Sequence, residues 1–307
     1  MLAIVCPGQG SQTPGMLAPW LDLEGAADSL TAWSDATGID LVTHGTESDA
    51  DTIKDTAVAQ PLIVAAGLLS AQALNLDQLD PARWITAGHS VGEITATALA
   101  GVLSPAAALD FVRVRATGMA SAAAAAETGM AAVLGGDADE VQAKLDSLGL
   151  TPANINGGGQ VVAAGSLERL NELAADPPAK ARVILLKVAG AFHTDYMAPA
   201  VDALRTTASA LQPQNPHVTL LSNRDGAIVT DGTDALERLV SQVTSPVRWD
   251  LCMQSLTEAN VTGILELLPG GTLKGLAKRA MRGVPSVAIT SPEDLGTARE
   301  FIAEHTS

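Results

Sequence analysis

The chain has 307 residues, 47% of them hydrophobic and 17% charged, the composition of a globular, enzyme-sized protein rather than a disordered or fibrous one. A formal net charge of −16 speaks against nucleic acid as a partner, because phosphate binding is dominated by Lys and Arg. No segment reads as a signal peptide or a membrane span, and the widely separated Cys6 and Cys252 read as free thiols of a cytoplasmic protein.

Residues 2–6, LAIVC, form a short apolar run stopped by Pro7 and Gly8, which predicts a buried strand. The glycine-rich loop after it matches neither nucleotide fingerprint. Thr13 stands where a dinucleotide motif needs a third glycine, and Met16 and Leu17 replace the Lys and Ser/Thr of a phosphate-binding loop. What remains is either a plain turn or a loop whose backbone N–H groups, that of Gln9 among them, face a site. Residues 61–76 predict an apolar helix opened by Pro61 at its first position. A strand at 83–88, a helix at 91–104 and an alanine-rich helix at 105–126 follow. This alternation predicts an α/β fold with a parallel sheet covered by helices on both faces.

The rhythm changes at 130–136, a strand, followed by a helix at 137–149, strands at 151–157 and 160–165, a helix at 166–176 and a strand at 181–188. That order, βαββαβ, is the ferredoxin-like split unit, and it predicts a small subdomain at 127–189 inserted into a larger domain of residues 1–126 and 190–307. The larger pattern then resumes with a helix at 196–211, a strand at 218–223, a helix near 233–243, a strand at 261–268, a helix at 272–280 and a strand at 286–289.

The candidate chemistry begins at Gly88-His89-Ser90-Val91-Gly92, which fits G-x-S-x-G with a predicted strand before it and a helix after it. Ser90 is then a nucleophile on a tight turn, with the Val91 N–H beside the Gln9 N–H as an oxyanion hole; the other reading is a helix N-cap serine. A serine hydroxyl needs a base. Of the five histidines, His44 and His305 lie in polar loop or terminal contexts, His217 precedes a strand, and His89 points away from its neighbour. His193, at the return from insert to large domain, is the remaining candidate, although such a histidine taken alone is more often structural.

The motifs GQGSQ at 8–12, GHSVGE at 88–93, Arg115 in its helix, AFH at 191–193, PVRW at 246–249 and LLPGGTLKGL at 267–276 occur along the whole chain. Together they resemble the malonyl-CoA:acyl carrier protein transacylase family. The resemblance implies an α/β-hydrolase-like large domain with a ferredoxin-like insert. It implies Ser90 as nucleophile and His193 as base, the base oriented by the backbone carbonyl of Gln242 rather than by an aspartate. It further implies Gln9 and Val91 as oxyanion donors, Arg115 as holder of the malonyl carboxylate, and Asn156 on an insert strand facing the cleft. Phe192, beside the base, would fill the space next to the malonyl α-carbon. No bound cofactor is implied, since malonyl-CoA is a substrate, and the partner is acyl carrier protein. A chain without appended domains suggests a stand-alone monomer.

Three residue-level points bear on that reading. No acid between Ser90 and His193 has the strand-end context of a hydrolase triad, which leaves Asp195 as the one alternative orienting group. Arg113 and Arg115 are two residues apart and so lie on different helix faces; only one can enter a cleft. Lys274, Lys278 and Arg282, spaced i, i+4 and i+8, with Arg279 beside them, predict a basic helical stripe, either a solvated face or a dock for an acidic carrier. The competing function is a serine thioesterase or esterase of related fold.

Overall fold

The computed structural model describes residues 1–307. In chain order the elements are β1 (Leu2–Cys6), α1 (Ala26–Thr37), α2 (Leu41–Thr46), α3 (Thr56–Ala73), β2 (Trp84–Gly88), α4 (Gly92–Leu99) and α5 (Pro105–Ala124). Next come β3 (Thr128–Gly135), α6 (Ala138–Ser147), β4 (Thr151–Gly157), β5 (Gln160–Ser166), α7 (Leu167–Ala175) and β6 (Ala181–Leu185). The chain closes with α8 (Val201–Ala210), β7 (Thr219–Leu221), β8 (Ile228–Val229), α9 (Gly232–Gln242), β9 (Val247–Arg248), α10 (Trp249–Glu258), β10 (Gly263–Glu266), α11 (Thr272–Ala280), β11 (Ser286–Ala288) and α12 (Leu295–Thr306).

The first sheet has the order β11-β10-β1-β2-β7-β8 and is parallel except for the last pair. Its centre is dry on both faces. Along β1, Leu2, Ile4 and Cys6 enter one apolar cluster while Ala3 and Val5 enter another, the two-residue period of a strand buried on both sides. Helices α3, α4 and α5 line the first cluster, and α10 and α11 the second. The fold class expected from the alternation is therefore present.

The second sheet has the order β6-β3-β5-β4-β9. Its four insert strands pair antiparallel, which is the βαββαβ arrangement, and the large domain adds β9 parallel to β4. One face carries α6 and α7 over a small core of Ala131, Val133, Leu145, Leu170 and Leu173. From the other face Met130, Val162 and Ala164 join the large domain's core. A cavity forms where the two sheets meet.

Several boundaries differ from the sequence expectation. Helix α3 starts at Thr56, five residues before Pro61, because the Asp55 carboxylate accepts the Ala57 N–H and caps it. Pro61 therefore sits inside the helix. That helix is long and apolar enough to cross a membrane by length and composition, yet 78% of it is buried in the core. The helix expected at 91–104 stops at Leu99, and the one expected from 196 begins as a 3-10 turn, Asp195–Ala200, that contains Pro199. Helices α1, α2, α10 and α12 and the short strands β8 and β9 carried no sequence expectation.

Candidate active site

Strand β2 ends at Gly88 and α4 begins at Gly92, so the chain reverses within three residues. Both glycines are required by close approach. A Cβ at 88 would lie 2.0 Å from the Gly92 backbone, and one at 92 would lie 2.1 Å from the Cys6 carbonyl oxygen. Between them Ser90 adopts φ 54°, the left-handed region that costs a non-glycine residue about 1–2 kcal/mol. Its N–H donates to Asn223 Oδ1 at 2.8 Å, and Asn223 Nδ2 donates to the Gly88 carbonyl at 2.7 Å, so the turn is tied from below. The N-cap alternative for Ser90 fails, since Val91 holds the N-cap position of α4 and the Ser90 hydroxyl bonds to side chains outside the helix.

The hydroxyl instead donates to His193 Nε2 at 2.7 Å. On the ring's other side Nδ1–H donates to the main-chain carbonyl of Gln242 at 2.8 Å. Gln242 is the last residue of α9, where a helix leaves carbonyls unpaired and carries partial negative charge, so a neutral group does the orienting. Asp195 is exposed and makes no bond to the ring, and the acid alternative is thereby removed. Burial, and then the nearby Arg115 charge, push the His193 pKa down to about 3 despite the opposing bond to Gln242. The imidazole is neutral and free to accept a proton.

Arg115 is 1% exposed. Its Nη1 donates to Gln60 Oε1 at 2.6 Å, its Nη2 donates to Gln242 Oε1 at 2.7 Å, and Nη2 stands 3.5 Å from Ser90 Oγ. Arg113 pairs with Asp110 on the outer face of α5. Burial lowers the Arg115 pKa to about 10, which leaves it charged at neutral pH, with Glu93 opposing the shift. The Gln242 Nε2 donates in turn to the buried Glu93 carboxylate, whose pKa burial raises to about 7.

A cavity of about 90 Å³ opens onto Ser90 and His193. Gln9, Val91 and Phe192 lie in its wall together with Gln60, Met119, Met130, Asn154, Val162, Leu186 and Val188. The backbone N–H groups of Gln9 and Val91 donate to no acceptor in the protein. Asn156 is not part of this wall. It accepts from His89 Nε2 at 2.8 Å, and it is Asn154, two residues earlier on β4, that reaches the cavity, with a buried Oδ1 that has no partner. The basic stripe is also shorter than expected. Lys274, Lys278 and Arg279 are exposed on α11 without a carboxylate partner, but Met281 leaves the helical conformation and places Arg282 beyond the helix end.

Sequence reasoning missed Gln60, Glu93, Asn223 and Asn154. Two of them carried a signal: Gln60 is an amide in the first half of a largely apolar helix, and Glu93 is a carboxylate one turn after Ser90 in a helix of small and apolar residues. Asn223 and Asn154 lie in segments whose composition marks nothing.

A family model described as "Acyl transferase domain" matches residues 3–294. The malonyl CoA-acyl carrier protein transacylase of Mycobacterium tuberculosis is 55% identical over 296 residues, 96% of this chain and 98% of that protein. The crystal structure of MCAT from Mycobacterium tuberculosis superposes with a TM-score of 0.94 at 54% identity, covering 97% of this chain and 99% of that one. A malonyl-transacylase solved in complex with its type II PKS acyl-carrier protein gives 0.91 at 29% identity, covering 98% and 99%. With the serine on its strand-turn-helix, the histidine held by a main-chain carbonyl and these matches together, the chain belongs to the acyltransferase family of the malonyl CoA-acyl carrier protein transacylases.

Proposed function

We propose that this chain moves the malonyl group of malonyl-CoA to the phosphopantetheine thiol of acyl carrier protein through a malonyl ester on Ser90. The observation that carries the reading is the buried Arg115 guanidinium 3.5 Å from the Ser90 hydroxyl, a fixed positive charge beside the nucleophile. A planar fork of N–H donors suits a carboxylate, and a buried carboxylate without such a partner is strongly disfavoured. The names of the relatives support the same substrate and partner.

In the first half-reaction Ser90 Oγ attacks the thioester carbonyl while its proton passes to His193 Nε2. The unpaired N–H groups of Gln9 and Val91 receive the developing oxyanion. The C–S bond then breaks and the thiolate of CoA takes the proton from His193. In the second half-reaction the carrier thiol gives its proton to His193, its sulfur attacks the ester, the C–O bond breaks, and Ser90 Oγ takes the proton back from His193. The substrate carboxylate also strengthens the base: by neutralising Arg115 it removes the largest of the charge effects that, with burial, hold the His193 pKa down. No step calls for a metal or an organic cofactor.

Phe192 limits the space beside the acyl α-carbon, and Asn156 supports the site by holding His89. Lys274, Lys278 and Arg279 form the carrier's landing surface, with Arg282 at its margin; a cytoplasmic setting suits the two buried, unpaired cysteines. The test is the partition of the malonyl-enzyme. With holo-carrier present the label moves to the carrier thiol and free malonate stays at the buffer background. Rapid release of malonate in buffer alone, unaffected by the carrier, would instead establish a thioesterase.

A further inference from the structure

Gln242 bonds to four groups of the site. Its main-chain carbonyl holds His193, its side-chain Oε1 accepts from Arg115, and its Nε2 donates to Glu93 Oε2 and, at 3.2 Å, to the Ser90 carbonyl. Glu93 lies one turn beyond Ser90 on α4 and is 4% exposed; its second oxygen accepts the Asn223 N–H at 3.1 Å. The two half-reactions above use neither the Glu93 carboxylate nor the Gln242 amide.

A carboxylate only accepts and a guanidinium only donates. An amide placed between them satisfies both in one of its two orientations, nitrogen toward Glu93 and oxygen toward Arg115. With Glu93 ionised both of its bonds are charge-assisted, and the amide cannot turn over without facing donor to donor. The Gln60 carbonyl holds the other arm of the fork, so the guanidinium is fixed at both terminal nitrogens. Glu93 is also the one carboxylate whose charge acts on Arg115 in this buried region.

We propose that Glu93 is a positioning residue. Acting through the Gln242 side-chain amide, it fixes Arg115 in the pose that receives the free carboxylate of a dicarboxylic acyl group, and so sets the preference for malonyl over acetyl. The inference rests on the transacylase reading, with Arg115 as the carboxylate's partner. Glutamine at 93 would offer one acceptor oxygen to two donors, the Asn223 N–H and the Gln242 amide. One of them is left unpaired, or the amide turns its NH2 toward Arg115. The base is held by the main chain of Gln242 and keeps its orientation.

The experiment measures Ser90 acylation by malonyl-CoA and by acetyl-CoA in the full-length wild type, in Glu93→Gln and in Gln242→Met, each also combined with Arg115→Ala. The expected result is a malonyl-to-acetyl ratio of kcat/KM that falls ~10-fold in each single variant and shifts by less than ~2-fold once Arg115 is absent, the signature of residues acting through one partner. An unchanged ratio, or an equal fall in the Arg115→Ala background, would overturn the inference. Gln242→Met retains the main-chain acceptor and reads the same amide if Glu93→Gln does not fold. Wild-type enzyme that malonyl-CoA fails to acylate would overturn the transacylase reading itself, and this inference with it.

Discussion

The two sheets differ in how they are buried, and the chemistry follows the difference. The large parallel sheet is packed on both faces, against clusters of 59 and 16 buried residues; Gln9, Ser90 and Val91 follow the ends of its strands β1 and β2, Arg115 and Gln242 stand on α5 and α9, and His193 lies in the turn where the chain returns from the insert. The small antiparallel sheet has a core of its own of 8 residues, and its edge strand β6 leaves Leu185 46% exposed. It contributes cavity wall: Met130, Asn154 and Val162, with Leu186 and Val188 just beyond β6. A strained nucleophile and a buried charge persist only where the surroundings over-determine them, which the doubly covered sheet provides. The thinner layer is left to shape the acyl cavity.

Three variants test that division, from the strongest effect to the weakest. Arg115→Ala removes the buried charge from the large domain's side. It is expected to cost malonyl transfer about 3–5 kcal/mol, the scale for stripping a buried charge of its partner, with a much smaller loss for acetyl. Equal losses for the two substrates in steady-state kinetics would break the assignment of the clamp to this residue. Phe192→Ser acts at the seam between the layers. Admitting a methyl group beside the α-carbon is worth about 1–3 kcal/mol, so methylmalonyl turnover should rise relative to malonyl. Competition between the two thioesters reads the change, and no gain would make Phe192 a packing residue alone. Charge reversal at Lys274 and Lys278 touches only the exposed surface of α11. About 1 kcal/mol or less is expected, appearing in the KM for the carrier and its salt dependence while the KM for malonyl-CoA is unchanged. A carrier KM that does not move would place docking elsewhere.

The alternation of strand and helix, the βαββαβ insert and the strand-turn-helix around Ser90 were legible because each is encoded locally, in period, glycines and flanking apolar runs. The pairing of Ser90 with His193 was legible only by elimination among five histidines, and the carbonyl that orients the ring only through resemblance. What stayed hidden is the polar web beneath the turn. Asn223 meets Ser90 from 133 residues away and Glu93 meets Gln242 from 149, distances at which no periodicity operates. Asn156 and Asn154 illustrate the remaining limit. They occupy one strand, two residues apart, and only the packing of β4 against the large domain decides which one reaches the cavity. Pro61 misled for a related reason, because a helix-opening residue was overridden by a better cap at Asp55.

The central claim is that a dicarboxylic thioester acylates Ser90 through a carbonyl-held histidine. Intact-mass and peptide mass spectrometry after brief mixing with malonyl-CoA tests it most directly. The account predicts one malonyl adduct per chain, located on Ser90, absent in Ser90→Ala and discharged by holo-carrier. An unmodified wild-type chain, or an adduct that persists in Ser90→Ala, would contradict it.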